Sequence, residues 1–382
     1  MKRNEALDFV HTGPKTLAGR FMRRFWQPIY RAEDLAAGRA TRIKVMSEHF
    51  TLYRGEDGTP HLVVDACPHR GTQLSLGWVE GGNIRCFYHG WVFDGTGQCV
   101  EQPAEKEGFA RKVCVESYPL EEYLGIIFAY LGEGEPPALP RFPELEDDRL
   151  GPLTIRFRLS PANYFQRIEN DLDEVHVQYV HKNIAQRAGM TAIPEITAAE
   201  TEYGIYRESL RDQGARKIRR NCHYLMPNGL LLLVSPATKF DQWSVFMAWR
   251  VPVDDEWTMV VILDRLKQKP KEGQVRDVER ESKYPDPYTL TNDIMARKLR
   301  IHDVDPDYPD MFFVQDNVVL MGQGMICDRS TERLGRSDAP IVLLRKLWLR
   351  ELKALAEGKP LKQWSRSPEV LDLGETSEAQ LV

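Results

Sequence analysis

Four potential metal ligands stand in two short segments of the first half of the chain. Cys67-Pro68-His69 is followed, after sixteen residues, by Cys86-Phe87-Tyr88-His89, so each segment offers one thiolate and one imidazole. A [2Fe–2S] cluster with mixed ligation requires this supply, with two cysteines on one iron and two histidines on the other. Because imidazole is neutral and thiolate is anionic, we expect the histidine-bound iron to accept the electron. The same ligation predicts a reduction potential above that of an all-cysteine cluster.

A Cys₂His₂ zinc site is the alternative that would use the same four side chains. Zinc fingers group like ligands, with a pair of cysteines followed by a pair of histidines, whereas each segment here mixes the two types. Arg70-Gly71 follows the first segment and Gly90-Trp91 follows the second, so both segments are expected to end in tight turns. The mixed order favours the iron–sulfur cluster over zinc.

A second set of ligands lies in the segment NYFQRIENDLDEVHVQYVHKNI (163–184), which we expect to be helical. It contains Asp173, His176 and His181, and two histidines with a carboxylate and open positions form the facial triad of Fe(II) oxygenases. The two histidines are five residues apart, about 140° around a regular helix. A π-type bulge, or the end of the helix before His181, is therefore required if both rings are to reach one metal. Taken alone, the pattern could also be a solvated acidic helix face.

Asp173 is better placed to orient His176 than to join it on the metal. Residues three apart share a helix face, so Asn170, Asp173 and His176 line up. A carboxylate behind a metal-binding histidine fixes the tautomer and the direction of the ring. The third metal ligand is therefore expected outside this segment.

The candidate for the third ligand is Asp316, a lone carboxylate in the otherwise apolar, helix-like stretch MFFVQDNVVLMGQG (311–324). Burying an unpaired carboxylate is costly, so a buried aspartate usually has a cation or a metal as its partner. Asp310 and Asp328 are the fallback ligands.

Together, CPHRG…CFYHGW and the later D-x₂-H-x₄-H pattern resemble the aromatic-ring-hydroxylating Rieske oxygenases, on their phthalate-oxygenase side, over essentially the whole chain. The resemblance implies that Asp173 bridges His176 and a cluster histidine, His89, of a neighbouring subunit, and that Asn170 lies near the mononuclear iron. It assigns the cluster to Cys67, Cys86, His69 and His89, and the mononuclear iron to His176, His181 and Asp316.

The expected fold class is α+β, with an all-β Rieske [2Fe–2S] domain and a helix-grip-like catalytic domain built on an antiparallel sheet with flanking helices. Strand-like segments from Thr41 to Leu131 and the Pro- and Gly-rich boundary 132–145 support this division. We expect a lead-in helix over 1–24 packed on the catalytic part, a Rieske domain over 25–140 and a catalytic domain over 141–382. Within the last, we expect a loop over 266–290, a helix over 309–322 and a final helix capped by Ser337.

Composition excludes several other classes of protein. The net charge of −5 gives no electrostatic support for nucleic-acid binding, and no apolar run is long enough for a membrane span. The start of the sequence lacks a secretory signal, so a cytoplasmic location is expected. Six cysteines in 382 residues do not suggest a disulfide framework. We expect the remaining cysteines to be buried thiols, and we expect the histidines at 11, 49, 61, 223 and 302 to occupy surface or ordinary polar positions. Arg187 or Arg207 could bind a carboxylate of the substrate, but we expect both to be ordinary surface charges.

Two metal sites in one chain predict a terminal oxygenase that receives electrons at the cluster and uses O₂ on a small aromatic substrate. Aromatic-ring dioxygenation or hydroxylation is the leading expectation, with O- or N-demethylation as an alternative. An electron-transfer protein without a catalytic iron is the alternative from another class. No G-x-G-x-x-G fingerprint follows a strand, so the electron donor should be a separate NAD(P)H-linked reductase of flavin/ferredoxin type. The resemblance also implies a homotrimer.

Overall fold

The computed structural model describes residues 8–214, 217–234, 243–268 and 284–364. These residues form two compact units. The smaller unit comprises His11–Leu139 and Val251–Asp254. The larger unit comprises the described parts of Met1–Val10, Pro140–Arg250 and Asp255–Val382. No helix of the described residues has both the length and the apolar character that a membrane crossing needs.

The smaller unit consists of one short helix and three antiparallel sheets, in agreement with the expected all-β domain. The sheets have the strand orders β1-β11-β10, β2-β3-β4-β9 and β5-β6-β7-β8. Its elements are α1 (Leu17–Met22), β1 (Trp26–Arg31), β2 (Arg39–Val45), β3 (Glu48–Arg54), β4 (Pro60–Val64), β5 (Trp78–Glu80), β6 (Asn83–Arg85), β7 (Val92–Phe93), β8 (Cys99–Glu101), β9 (Ser117–Tyr118), β10 (Leu120–Tyr123) and β11 (Ile126–Tyr130).

The core of the smaller unit includes both cysteines of the predicted cluster segments. Cys67 and Cys86 are buried together with Tyr53, Trp91 and Phe93. The turn between β7 and β8 is the hairpin expected at Gly95-Thr96-Gly97, with Gly97 at φ +83°. Packing in this core therefore fixes the positions at which both cysteine-bearing loops begin.

The N-terminal segment differs from the expectation that residues 1–24 pack on the catalytic part. Residues from His11 onward, including α1, group with the smaller unit, and of the described N-terminal residues only Asp8–Val10 group with the larger one. The buried Arg23 explains the difference, because its guanidinium donates to the carbonyl oxygens of Thr12 and Met46 and pairs with Glu48 at 2.6 Å. These contacts tie the end of α1 to the turn between β2 and β3.

The larger unit is built on a seven-stranded sheet with the order β12-β18-β17-β16-β15-β14-β13. β12 pairs antiparallel with β18, and β13 through β17 pair antiparallel in sequence. This sheet and its helices confirm the α+β class. The strands are β12 (Leu153–Ser160), β13 (Glu195–Glu200), β14 (Gly204–Asp212), β15 (Lys217–Leu225), β16 (Gly229–Val234), β17 (Ser244–Pro252) and β18 (Thr258–Leu266).

The helices of the larger unit depart from the sequence expectations at two places. The segment 163–184 is three helices rather than one, and the part of 266–290 expected to be loop contains the start of a helix at Pro287, capped by Asp286. Residues 269–283 of that loop lie outside the described residues. The helices are α2 (Pro143–Glu146), α3 (Tyr164–Leu172), α4 (His176–Tyr179), α5 (Lys182–Arg187), α6 (Pro287–Met295), α7 (Met311–Gly322) and α8 (Ala339–Ala356).

The predicted cap of the final helix is also wrong. The N-cap of α8 is Asp338, not Ser337, because a 3₁₀ turn over Arg336–Asp338 precedes the helix. The side chain of Asp338 instead accepts from the backbone N–H of Gly335 at 2.6 Å. The apolar stripe of α8 packs on the rest of the larger unit as its spacing predicts, with Leu344 and Trp348 fully buried.

Trp348 connects α8 to both α3 and the sheet. It is 0% exposed, its ring centroid lies 5.4 Å from that of Phe165, and its indole N–H donates to the hydroxyl of Tyr224. We expect Trp348→Ala to lower the stability of the protein by about 3–5 kcal/mol, through lost burial and the cavity left behind. Scanning calorimetry measures this as a lower denaturation midpoint. Val342→Ala on the exposed side of the same helix is the control. An equal loss of stability in both variants would contradict the assignment of Trp348 to the core.

Candidate metal centres

The two cysteine-bearing loops of the smaller unit have the same backbone hydrogen bonds. The N–H of Gly71 donates to the carbonyl of Cys67, and the N–H of Gly90 donates to the carbonyl of Cys86. Each cysteine N–H in turn donates to the carbonyl five residues later. Both glycines adopt positive φ, +78° and +72°, which a side chain would disfavour. The glycine four residues after each cysteine is therefore a requirement of the turn.

The four side chains of these loops are arranged as a mixed-ligand cluster needs. Cys67 and Cys86 are buried, whereas His69 and His89 are partly exposed. The two imidazole rings lie with their centroids 4.5 Å apart, and the ring of His69 stacks on that of Trp91. Burial raises the pKa of the Cys67 thiol to about 12, and the neighbouring Cys86 also raises it. Thiols on the inner side and imidazoles on the outer side fit a [2Fe–2S] cluster whose histidine-bound iron faces outward.

All six cysteines are free thiols, so no disulfide competes for the two candidate ligands. Cys99 and Cys222 are buried as expected. The prediction is wrong for Cys114, which is exposed, and Cys327 is only partly buried.

The second candidate site lies in the larger unit, where His176, His181 and Asp316 place one possible ligand atom each within 4.8 Å of one another. Helix α3 ends at Leu172, and Asp173 leaves helical geometry with ψ of 120°. The carboxylate of Asp173 then accepts from the backbone N–H groups of Val175 and His176, at 2.8 and 3.3 Å, and so starts the next turn. The break between helices provides the change of direction that the five-residue spacing requires.

Both imidazole rings of this site are directed at Asp316 on α7. Nε2 of His181 lies 2.9 Å from Oδ1 of Asp316, and Nε2 of His176 lies 3.8 Å from the same oxygen. Gln315 accepts from Nδ1 of His181 at 2.8 Å, which leaves Nε2 free to act as a ligand. The ring of His181 also stacks on that of Phe312.

The nitrogen atoms of His176 provide a test of whether these residues fit a metal. Both are buried and have no hydrogen-bond partner within the described part of the chain. The nearer carboxylate oxygen of Asp173 lies 3.6 Å from Nδ1, behind the ring as the sequence predicts. A buried imidazole needs a partner for its nitrogens, and a metal between Nε2, His181 and Asp316 would supply one. The donor set of two imidazoles and one carboxylate fits ferrous iron.

A buried arginine beside this group was not identified from the sequence. Arg167 on α3 is 3% exposed, and its guanidinium lies 3.4 Å from Oδ2 of Asp316 and over the ring of Phe313. Burial on its own raises the pKa of Asp316, but His181 and Arg167 outweigh it and hold the pKa below its usual value. The two oxygens of Asp316 are thus divided between the histidine pair and a permanent cation. No spacing signal marks Arg167 in the sequence.

The other predicted residues lie as follows. Asn170 is in the last turn of α3, partly buried. Neither fallback ligand joins the group, because Asp310 pairs with Arg158 at 3.2 Å and Asp328 accepts from the backbone N–H of Ser330.

Two residues expected at surface or ordinary polar positions are buried. Arg207 is 3% exposed and pairs with Glu174, so its assignment as a surface charge is wrong. His223 is 5% exposed and is hydrogen-bonded to Tyr203. Burial lowers the pKa of His223 to about 4, so it is neutral at pH 7.

Comparison with known proteins finds a domain match for the smaller unit and oxygenase relatives along nearly the full chain. Residues 25–119 match the model of the Rieske [2Fe–2S] domain. The oxygenase subunit of 5,5'-dehydrodivanillate O-demethylase from Sphingobium sp. is 29% identical over 94% of this chain and 82% of that protein. The alpha subunit of phenoxybenzoate dioxygenase from Ectopseudomonas oleovorans is 28% identical over 90% of this chain and 83% of its own length.

Solved structures share the fold of both units. The Pseudomonas putida CBB5 protein NdmA superimposes with a TM-score of 0.66 at 21% identity, over 92% of this chain and 96% of its own. Dicamba monooxygenase bound to dicamba gives a TM-score of 0.61 at 19% identity, over 89% of this chain and all of its own. With a Rieske domain over residues 25–119 and curated oxygenase subunits matching along nearly the full length, the chain is similar to the Rieske non-haem iron oxygenases over both units.

Proposed function

We propose that this chain is a terminal oxygenase component that takes electrons from an NAD(P)H-linked reductase and uses O₂ to hydroxylate or dihydroxylate a small aromatic substrate. The observation that carries the proposal is the presence of two different ligand sets in one chain. A lone cluster site would indicate an electron carrier, and a lone facial triad would need a cosubstrate as its electron source. Together they support a protein in which electrons enter at one site and oxygen chemistry occurs at the other.

Cys67, Cys86, His69 and His89 would hold the [2Fe–2S] cluster, and His176, His181 and Asp316 would hold the mononuclear iron. When bound, the two groups supply stored electrons and activation of O₂ for insertion into a C–H or C=C bond. The residues around these ligands fix the tautomer and the orientation of the ligand side chains. Gln315 fixes the tautomer of His181, and Phe312 holds its ring in place.

Asp173 has three roles in this proposal. One oxygen caps the turn that carries His176, and the other lies behind the ring, where a negative charge keeps Nδ1 protonated and Nε2 available. Burial raises the pKa of Asp173, but the nearby His176 imidazole and the hydrogen bonds from the backbone N–H groups of Val175 and His176 outweigh it and lower the pKa, so the carboxylate is ionised at pH 7. In a homotrimer closed by head-to-tail packing, Asp173 would also link His176 to the partner subunit's His89.

Exposed aromatic side chains around the second cluster loop support an interface at that end of the smaller unit. Phe87 and Tyr88 are 59% and 52% exposed, and the ring of Trp78, itself half exposed, packs on Phe87. Large apolar groups clustered on a surface mark sites of protein contact. The neighbouring subunit of a trimer would cover them in this proposal.

Demethylation is the second candidate reaction. It is favoured by the full-length similarity to the oxygenase subunit of an O-demethylase. Hydroxylation of a methyl group on oxygen or nitrogen would release formaldehyde, whereas ring hydroxylation would not. The same metal sites serve either outcome.

Product analysis with labelled O₂ tests the proposed function. The holoenzyme, a surrogate reductase and NADH are incubated with small aromatic compounds that differ in acidic, methoxy and N-methyl groups. We expect label in a hydroxylated product, with formaldehyde indicating demethylation. Oxidation of NADH without label in any organic product, across substrates that bind the enzyme, would contradict the proposal.

Substitution of Asp316 tests the mononuclear site. We expect Asp316→Asn and Asp316→Ala to lower the iron content by about one atom per chain, since a facial triad without its carboxylate binds iron poorly. The visible spectrum and acid-labile sulfide of the cluster should stay unchanged. Asp310→Ala is the matched control and should keep its iron. Full iron content in both Asp316 variants would remove this residue from the ligand set.

Substitution of Asp173 tests whether coupled turnover needs its charge as well as its capping of the turn. Asp173→Asn keeps an oxygen to cap the turn but removes the charge behind His176, and Asp173→Ala removes both. We expect both variants to retain the cluster and most of the iron while coupled turnover falls about 100-fold or more. Product formed per NADH oxidised measures the effect, and normal coupled turnover in Asp173→Ala would refute the bridging role.

A further inference from the structure

The carboxylate of Glu174 is buried against three arginines of the larger unit. Arg207 and Arg220 each donate to one of its oxygens at 2.5 Å, and a terminal nitrogen of Arg211 lies 2.8 Å from the oxygen that Arg220 contacts. Glu174, Arg207 and Arg211 are 2%, 3% and 0% exposed. Hydrogen bonds between ionised groups are the strong ones, and burial strengthens them further, so these contacts hold the side chain of Glu174 in one position.

The three arginines belong to neighbouring strands of the sheet. Arg207 and Arg211 are on β14, where side chains of alternate residues share one face. Arg220 on β15 is paired with Ser209, which places it on the same face between the two. Glu174 precedes Arg207 by 33 residues and Arg220 by 46. These long-range contacts attach Glu174 to two strands at once.

Glu174 lies in the break between α3 and α4, directly after Asp173 and two residues before the candidate ligand His176. The carboxylate of Asp173 accepts from the backbone N–H groups of Val175 and His176, so its hydrogen bonds stay within this short segment. They give the segment its shape but do not attach it to the sheet. Glu174 makes that attachment, and any movement of Glu174 is transmitted to the ring of His176 through two residues of backbone.

Two further contacts flank the break. Before it, Asp171 on α3 pairs through both oxygens with Arg250 on β17, each at 2.7 Å. After it, Val177 packs in a buried apolar cluster with Ile218 on β15. Apolar packing brings the two elements together without fixing their direction, because the hydrophobic effect is non-directional. Glu174 adds the direction that Val177 does not supply.

Stability alone does not account for this arrangement. One carboxylate against three guanidinium groups leaves a surplus of two positive charges in the interior. Arg211 is fully buried, yet its contact with Glu174 is off the direction that a hydrogen bond requires. Burying charge in this way carries a desolvation penalty, and replacement of buried ion pairs by apolar residues often leaves stability unchanged or raises it.

We propose that Glu174 is a positioning residue of the mononuclear iron site. Its pairing with the arginines of β14 and β15 holds the break against the sheet, and this in turn holds the ring of His176 where it can share a metal with His181 and Asp316. The inference rests on the proposed function, since it assigns Glu174 a part in the same site. The competing interpretation is that Glu174 only stabilises the larger unit.

The Fe(II) affinity of the mononuclear site distinguishes the two interpretations. Glu174→Gln removes the charge. The matched control is Glu169→Gln, which removes a carboxylate of α3 that pairs with Arg329 and Arg345 at 2.7 and 2.6 Å. The holoenzymes are dialysed anaerobically against a series of free Fe(II) concentrations. Acid-labile sulfide gives the amount of cluster, so the remaining iron reports on the mononuclear site.

We expect Glu174→Gln to weaken the Fe(II) affinity about tenfold or more, because residues that orient a ligand from behind typically have effects of this size. Glu169→Gln should leave the affinity unchanged, although it also breaks a buried ion pair. Wild-type affinity in a folded Glu174→Gln would overturn the proposal. An equal loss in Glu169→Gln would overturn it too, since the effect would then follow from lost stability.

A double variant keeps the test valid if Glu174→Gln alone does not fold. Arg211→Met/Glu174→Gln removes one positive charge together with the negative one and keeps the surplus at two. We expect it to show the same loss of Fe(II) affinity, and wild-type affinity here would also overturn the proposal. Arg211→Met alone leaves the two direct hydrogen bonds of Glu174 in place and should bind Fe(II) as the wild type does.

Fe(II) binding does not depend on turnover, so this test is separate from that of the proposed function. Weaker Fe(II) binding in Glu174→Gln, in an enzyme that oxidises no aromatic compound, would leave this inference intact and count against the proposed function. Labelled product from the wild type, together with unchanged Fe(II) affinity in the variant, would support the proposed function and overturn this inference.

Discussion

The interruption of helical hydrogen bonding after Leu172 is the constraint on which the catalytic site depends. A continuous helix would carry His176 and His181 on different faces, and no movement of α7 could bring Asp316 to both. Asp173 makes the interruption stable, because its carboxylate supplies the acceptors that the exposed N–H groups of the next turn need. Asp173, which follows the end of α3, also lies behind the ring of His176. One side chain therefore determines both the break in the helix and the orientation of a candidate ligand.

Residue types and spacing were sufficient to predict the ligand-bearing segments. The two Cys/His segments, the need for a break between His176 and His181, and the position of Asp316 in an apolar helix all follow from local pattern. The α+β class followed from strand-like and helix-like periodicity, which reports on local burial. The prediction that Ser337 caps the last helix was wrong because Ser337 lies inside a 3₁₀ turn, in which the side chain of Asp338 accepts a hydrogen bond from the backbone N–H of Gly335.

The sequence did not predict which charged side chains are buried. Arginine is usually found at the surface, yet Arg167, Arg207 and Arg211 are buried. No periodicity in the sequence distinguishes a solvated arginine from one that contacts a carboxylate inside the protein. Their burial depends on partners far along the chain, such as Asp316 for Arg167. The grouping of α1 with the smaller unit has the same origin, since it depends on contacts of Arg23 with the distant Met46 and Glu48.

The paired glycine turns at Cys67 and Cys86 have a consequence for which positions of the smaller unit tolerate substitution. Gly71 and Gly90 adopt positive φ, where a residue with a side chain is strained, and each closes the backbone hydrogen bonds of a loop that presents one cysteine and one histidine. A substitution at either glycine would therefore displace two candidate ligands at once, although the glycine itself binds nothing.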